Sequence, residues 1–240
     1  MMGDYLYEGK VALVTGSRRG VGKAITEHFL KHGADMVIGF ARGTGSVEHQ
    51  NYHHFEVDVG NPDSVIKGFA ALKDVTDSIQ IVVNNAAVLT SQYSMIMPPA
   101  AAQAMVNVNL MGPFMVSREA AKMMRKRKWG RIINIGSMAA SLEPIGDSMY
   151  AACKAGLSTL ANVMAKEFAT MNVTCNTLGI NAIESDMLAQ LPRAKIDAII
   201  AGLPVPRMSK EDDILNVIDF FSSERSSQIT AQTVFLGGVN

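Results

Sequence analysis

A hydroxyl, a phenol and an ammonium fall close together near the middle of this chain: Ser137, Tyr150 and Lys154. Tyr150 and Lys154 are four residues apart, so a helix puts them on one face. Ser137 closes an apolar run at 131–136 that reads as a buried strand. Pro144 and Gly146 break the chain between the two. A phenol beside an ammonium, with a hydroxyl arriving from a strand end, is a site for proton transfer. An unperturbed phenol, at about 10, is a poor acid–base near neutrality. A neighbouring ammonium favours the phenolate, so the expectation is a lowered Tyr150 pKa. Tyr-x-x-x-Lys alone recurs by chance and also describes an ordinary surface pair, so its weight depends on what surrounds it.

The second chemical signal lies near the start. Residues 10–15 form a short apolar run, and Gly16, Gly20 and Gly22 separate it from a helical pattern over 23–31 that Gly33 stops. Glycines between a strand and a helix suit a pyrophosphate, which can approach the bare backbone and the helix N-terminus. A second strand follows at 34–41, and Arg42 stands just beyond it, with no acid at 40–42. An acidic residue there would hold a free ribose 2′-hydroxyl, whereas arginine suits a 2′-phosphate. Arg19 in the glycine turn adds a second guanidinium, so the expected cofactor is NADPH, with NADH less suited.

The elements that must position these groups alternate. Strands are expected at 53–59, 79–84, 131–136, 173–179 and 230–238, in addition to the first two. Helices are expected at 65–72, at 100–126 with an interruption near Gly112-Pro113, from Tyr150 to about 169, and at 210–222. Residues 43–52 have room for a turn or two of helix at most. His53 and His54 are adjacent on a strand, face opposite sides, and read as surface residues rather than metal ligands. Asn107 and Asn109 sit inside an apolar helix and need partners, as kink residues or in a water relay. The segment 180–209, with Pro192, Pro204 and Pro206, is expected to be a mobile substrate loop. The fold class is α/β: one Rossmann-type, doubly wound domain over 1–240, about seven mostly parallel strands flanked by helices.

Composition narrows the field. Of 240 residues 48% are apolar, and 22 basic residues balance 22 acidic ones, which excludes a global footprint for nucleic acid. The one basic cluster, over 122–131, reads as a solvated helix end. Cys153 and Cys175 lie in apolar segments with no ligand spacing, so buried free thiols and no metal are expected. Asp4 and Glu8 argue against a secretory leader, and no apolar run reaches membrane-spanning length. A cytoplasmic setting follows. Sixteen methionines suggest an adaptable apolar surface.

Taken in order, the motifs resemble the short-chain dehydrogenase/reductase family over nearly the whole chain. Thr15-Gly16-x-x-x-Gly20-x-Gly22 is similar to its cofactor turn, Asp58-Val59 to its adenine-contacting strand end, and Asn84-Asn85-Ala86 to its sheet-stabilising motif. Asn109, Ser137, Tyr150 and Lys154 match its catalytic tetrad. The resemblance implies cofactor contacts at Gly16, Ser17, Arg18, Arg19, Gly20, Val21, Gly22, Arg42, Asp58, Val59, Asn85, Ala86, Tyr150, Lys154 and Ile180. Within the family the chain resembles 3-oxoacyl-acyl-carrier-protein reductases, including the tail at 229–233. That implies reversible, NADPH-dependent reduction of a 3-oxoacyl thioester by a homodimer or homotetramer, with the helices at 100–127 and 148–169 on two-fold interfaces.

The chain also departs from the pattern. Ala87 replaces a glycine, Leu178-Gly179 a Pro-Gly pair, and Leu236-Gly237-Gly238 an Asp-Gly-Gly. The segment after the second strand is about ten residues shorter than usual. Lys128 and Met171 stand where two arginines dock an acidic carrier, so one charge is kept and one lost. A CoA thioester or smaller ketone then suits the chain better than acyl carrier protein. The alternatives are another small cyclic or aromatic ketone, and a weakly catalytic structural subunit. The complete tetrad speaks against the last.

Overall fold

The structure, a computed structural model, describes residues 6–239. Seven strands form one sheet: β1 (Val11–Thr15), β2 (Met36–Ala41), β3 (Tyr52–Glu56), β4 (Ile81–Asn84), β5 (Gly130–Ser137), β6 (Val173–Ile180) and β7 (Thr233–Phe235). Their order is β3-β2-β1-β4-β5-β6-β7, and every pairing is parallel. The expected α/β sheet of seven strands is therefore present. Parallel strands buried on both faces explain the continuous apolar runs. Side chains alternate between two cores: Leu13, Ile38, Val82 and Ile132 enter one, while Val14, Val37, Val83 and Ile133 enter the other.

Helices α1 (Gly20–Lys31), α2 (Pro62–Leu72), α3 (Pro99–Val106), α4 (Gly112–Met124), α5 (Ala139–Leu142), α6 (Ser148–Phe168), α7 (Arg193–Ala201) and α8 (Glu211–Ser222) complete the chain. α1 and α8 cover one face through Ile25, Phe29, Ile214, Ile218 and Phe221. α2, α4 and α6 cover the other, where Met115, Met123, Met124 and Met164 fill the core. Several methionines are thus packing residues rather than surface ones; Met95, at 98% exposed, is the opposite case. The helix signals in the sequence have local causes. Asn61 accepts from the N–H groups of Asp63 and Ser64, with Pro62 at the first helical position. Gly33, at φ 85°, ends α1 while the Ala34 N–H reaches back to the Phe29 carbonyl.

Four features differ from the sequence reading. α1 starts at Gly20, because the glycine turn leads directly into the first helical turn. α7 lies within 180–209, where three prolines obscure its periodicity. β7 is only three residues long, because Gly237 and Gly238 adopt φ of 85° and 84° and turn the chain away. Arg131 does not belong to the solvated cluster: it is fully buried, donates to the carbonyls of Gly130, Ser223 and Glu224, and stacks 4.3 Å from the Trp129 ring. Arg125, Lys126, Arg127 and Lys128 are exposed as expected. Both cysteines are free and buried. Among the described residues no helix is long and apolar enough to cross a membrane. Phe29 is fully buried between α1 and the sheet; Phe29→Ala should lower unfolding free energy by about 3–5 kcal/mol in urea titration.

Candidate active site

The strand order reverses between β1 and β4, since the chain runs outward through β2 and β3 and then returns to β4. The carboxyl ends of β1, β4, β5 and β6 meet on either side of that point, where parallel sheets of this kind open a crevice. On the β1 side the glycine turn is packed onto β4. Asn85 Nδ2 donates to the Thr15 carbonyl at 2.9 Å, and the N–H groups of Asn85 and Ala86 both donate to Thr15 Oγ1. A Cβ on Gly22 would lie 2.3 Å from the Gly16 carbonyl oxygen, so only glycine lets helix and turn approach this closely. Gly20 is at φ 52° and a Cβ there meets nothing within 4 Å, so the turn is open on that side. Arg19, the N-cap of α1, makes no side-chain cap bond. Bare backbone in front of an uncapped helix N-terminus fits a pyrophosphate.

The arginines are arranged differently from the sequence reading. Arg18, not Arg19, lies at the end of β2: its Nη1 donates to the Arg42 carbonyl at 2.7 Å. Arg19 instead pairs with Asp186 at 2.5 Å in the segment before α7. Beyond β2 the Arg18 guanidinium thus lies against the backbone of Arg42, whose own side chain is exposed. Ser17 is buried and its hydroxyl meets Tyr52 OH at 3.0 Å; Tyr52 meets His54 Nδ1 at 3.2 Å, and His54 Nε2 reaches the Gly43 carbonyl at 2.7 Å. His54 is therefore a half-buried brace for the short loop after β2. Val21 packs against the α1 core, and Val59 is buried beside Gly112. Asp58 Oδ1 accepts from the Gly60 N–H. Ile180 ends β6 directly beside Ser137 on β5.

Ser137, Tyr150 and Lys154 come together as the spacing required. Ser137 ends β5, and its hydroxyl hydrogen-bonds the Tyr150 phenol. Lys154 Nζ lies 5.8 Å from the Tyr150 ring centroid and donates to the Ile135 carbonyl at 2.7 Å. The expected drop in the Tyr150 pKa does not occur in this arrangement. Burial pushes the phenol up to about 12; the Ser137 bond opposes this and the Asp147 carboxylate adds to it. Burial lowers Lys154 to about 8. Burial is the largest cause, because it disfavours the charged phenolate. The result is a phenol that keeps its proton at neutral pH beside a lysine that is still charged there.

Asn109 is fully buried and both of its amide atoms bond to the backbone of Val88. It sits in a π-turn, Asn107–Met111, where α3 passes into α4. Pro113 has no N–H, so the Asn109 carbonyl lacks the donor that an α-helix would give it. Lys128 is exposed, and Met171 packs against the core. Two polar residues have roles that sequence reading did not assign. Thr15 clamps the β4 end, and Asp147, buried at the N-cap of α6, contacts Ser91 and Lys195. Asp before a helix signals a cap, but nothing in the sequence says that its partners lie elsewhere.

A step that needs the Lys154 ammonium has a simple pH dependence. The lysine is charged below about 8 and neutral above it, whereas Tyr150 keeps its proton to about 12. Carbonyl reduction should be level at lower pH and fall with one proton as pH rises through about 8. A profile of kcat/KM that stays flat to pH 10 (an assay limit of about that value) contradicts a role for the charge.

The model of the short chain dehydrogenase family matches residues 10–196. The 3-oxoacyl-[acyl-carrier-protein] reductase FabG of Vibrio cholerae is 34% identical over 237 residues, covering 96% of this chain and 97% of that protein. The enzyme of the same name from Aquifex aeolicus is 32% identical over 240 residues, with the same coverage. Among solved structures, a gluconate 5-dehydrogenase from Burkholderia cenocepacia, in complex with NADP and tartrate, superposes with a TM-score of 0.91 at 26% identity, covering 98% of this chain and 96% of that one. A putative gluconate dehydrogenase from Agrobacterium tumefaciens does so with a TM-score of 0.90 at 29% identity and the same coverage. With the glycine turn, the Ser137–Tyr150–Lys154 cluster and the parallel sheet already in place, this chain belongs to the short-chain dehydrogenase family and is an NAD(P)-dependent oxidoreductase.

Proposed function

We propose that the protein reduces a ketone to a secondary alcohol with NADPH, reversibly, and that the ketone is a 3-oxoacyl thioester. The observation that carries the chemistry is the half-buried Tyr150, its phenol hydrogen-bonded to Ser137 beside the Lys154 ammonium. Bound between the glycine turn and Lys154, NADPH supplies the hydride. Ser137 and Tyr150 hold the carbonyl oxygen, and Tyr150 gives it a proton as charge develops there. Lys154 has three N–H donors and Ile135 takes one, which leaves others for a ribose hydroxyl and for water. A water at the Asn109 carbonyl would return the proton from solvent. Asp58, Val59, Asn85, Ala86 and Ile180 line the cofactor's path along the strand ends.

Arg18 and Arg42 support NADPH over NADH, because a 2′-phosphate gains charge-assisted bonds there and no acid repels it. The thioester reading rests on the carrier-protein reductases at 31–34% identity. Lys128 and the packed Met171 support a CoA thioester over the carrier. The two gluconate dehydrogenase structures support a second reading, a polyhydroxy acid as substrate. The segment 180–209 would close over either substrate. A homodimer or homotetramer is supported by the Ala-rich outer face of α6, where Ala152 and Ala155 border a groove with Tyr93 and Ile145.

Tyr150→Phe should lower kcat by about 10²–10⁴-fold with NADPH affinity retained, as measured by stopped-flow turnover and fluorescence titration. Arg18→Ala should raise the NADPH KM by roughly 10- to 100-fold and leave the NADH KM in place. Acetoacetyl-CoA should be reduced in preference to 5-ketogluconate; the reverse order would favour the polyhydroxy acid.

A further inference from the structure

The loop between β2 and β3, residues 42–51, contains no helix, and the strand that follows it helps to hold it. Tyr52 and His54 are two residues apart on β3, so they leave the same face of the sheet. His54 lies beside Gly39 of β2 in the strand register. A Cβ on Gly39 would overlap the hydroxyls of both Tyr52 and Ser17, so the missing side chain lets the phenol lie across β2 and meet the glycine turn. The hydrogen bonds then run in one direction. The Gly43 carbonyl only accepts, so His54 Nε2 donates to it at 2.7 Å. In the neutral ring Nδ1 is then an acceptor and takes the Tyr52 hydroxyl at 3.2 Å. The Tyr52 oxygen accepts from the buried Ser17 hydroxyl at 3.0 Å.

Gly43, the far end of this chain of bonds, is also where Arg18 rests. Gly43 is at φ 71°, and a Cβ there would come within 3.2 Å of Arg18 Nη1. The same Nη1 donates to the carbonyl of Arg42, one residue earlier, and Ser46 Oγ donates to the Arg18 carbonyl. The guanidinium thus lies on a floor of loop backbone at 42–43, and His54 ties that floor to the sheet. A long cationic side chain loses rotamer freedom when it binds an anion, and a support that already holds it reduces that cost. Only a ligand with an anionic group at this spot gains from the support.

We propose that His54 is a positioning residue for cofactor choice: through the Gly43 carbonyl it fixes the backbone on which Arg18 rests, and so favours NADPH over NADH. This rests on Arg18 meeting the 2′-phosphate, which the Arg18→Ala measurement tests separately.

The test is a fluorescence titration of the complete protein with NADPH and with NADH, read as the ratio of the two dissociation constants. His54→Phe keeps a ring under the loop and loses the donor to Gly43. It should weaken NADPH binding by about 3- to 10-fold and leave NADH binding in place. His54→Gln, whose amide nitrogen can donate to the same carbonyl, should bind NADPH as the unaltered protein does. In the Arg18→Ala background His54→Phe should change the ratio no further, because the floor then carries no guanidinium. Three results overturn the proposal: an unchanged ratio in His54→Phe, equal weakening of NADPH and NADH, or the same change in ratio in the Arg18→Ala background. His54→Gln as weak as His54→Phe also overturns it. If His54→Phe does not fold, Tyr52→Phe replaces it, since it removes the hydroxyl that His54 accepts from; an unchanged ratio there overturns the proposal. An unchanged ratio in Arg18→Ala is a different failure: it removes the 2′-phosphate reading and the proposal with it.

Discussion

Lys154 is 3% exposed, and its ammonium donates to the Ile135 carbonyl of β5 from the middle of an apolar helix. A charge held in such a place is costly unless the surroundings are arranged for it. Burial draws its pKa down to about 8 and, one helical turn away, sends the Tyr150 phenol up to about 12. Those two shifts have the same origin and opposite signs, since burial disfavours the cation in one case and the phenolate in the other. The pair is thereby set at neutral pH as a charged lysine beside a protonated phenol.

The fold is what makes this burial possible. β5 and β6 run in register for eight residues and end together at Ser137 and Ile180. α6 lies across them, with Leu157, Ala161 and Ala165 in or against the core. That packing fixes the rotation of the helix, and with it the direction of Tyr150 and Lys154. The same strand ends bring the glycine turn alongside, clamped by Thr15 to the backbone of Asn85 and Ala86. The catalytic cluster and the turn are thus held by neighbouring strands of one sheet, while Lys195 of α7 meets the loop before α6 at Asp147 and the Ile145 carbonyl.

Much of this was legible in the sequence because it is local. Continuous apolar runs mark doubly buried parallel strands, Asn61-Pro62 and Gly33 mark helix ends, and a four-residue spacing puts Tyr150 and Lys154 on one face. Contacts between distant segments were not legible. Arg19 and Arg18 are adjacent in the glycine turn, and only the path of the loop after β2 decides that Arg18 reaches the Arg42 carbonyl while Arg19 turns to Asp186. Arg131 ends a run of basic residues, but the strand register carries it inward onto Trp129. The sign of the Tyr150 shift depends on the competition between burial and charge, which spacing cannot weigh. The role of Pro113 is an intermediate case: its missing N–H is plain in the sequence, but the π-turn around Asn109 is not.

The most direct measurement is a crystal structure of the protein with NADP+ and a bound 3-hydroxyacyl product. The expected result is a hydroxyl oxygen within hydrogen-bond reach, about 2.6–3.2 Å, of both Tyr150 OH and Ser137 Oγ, with Lys154 turned to the nicotinamide ribose. A product oxygen held by other groups, with Tyr150 still bonded to Ser137, would contradict proton delivery by Tyr150.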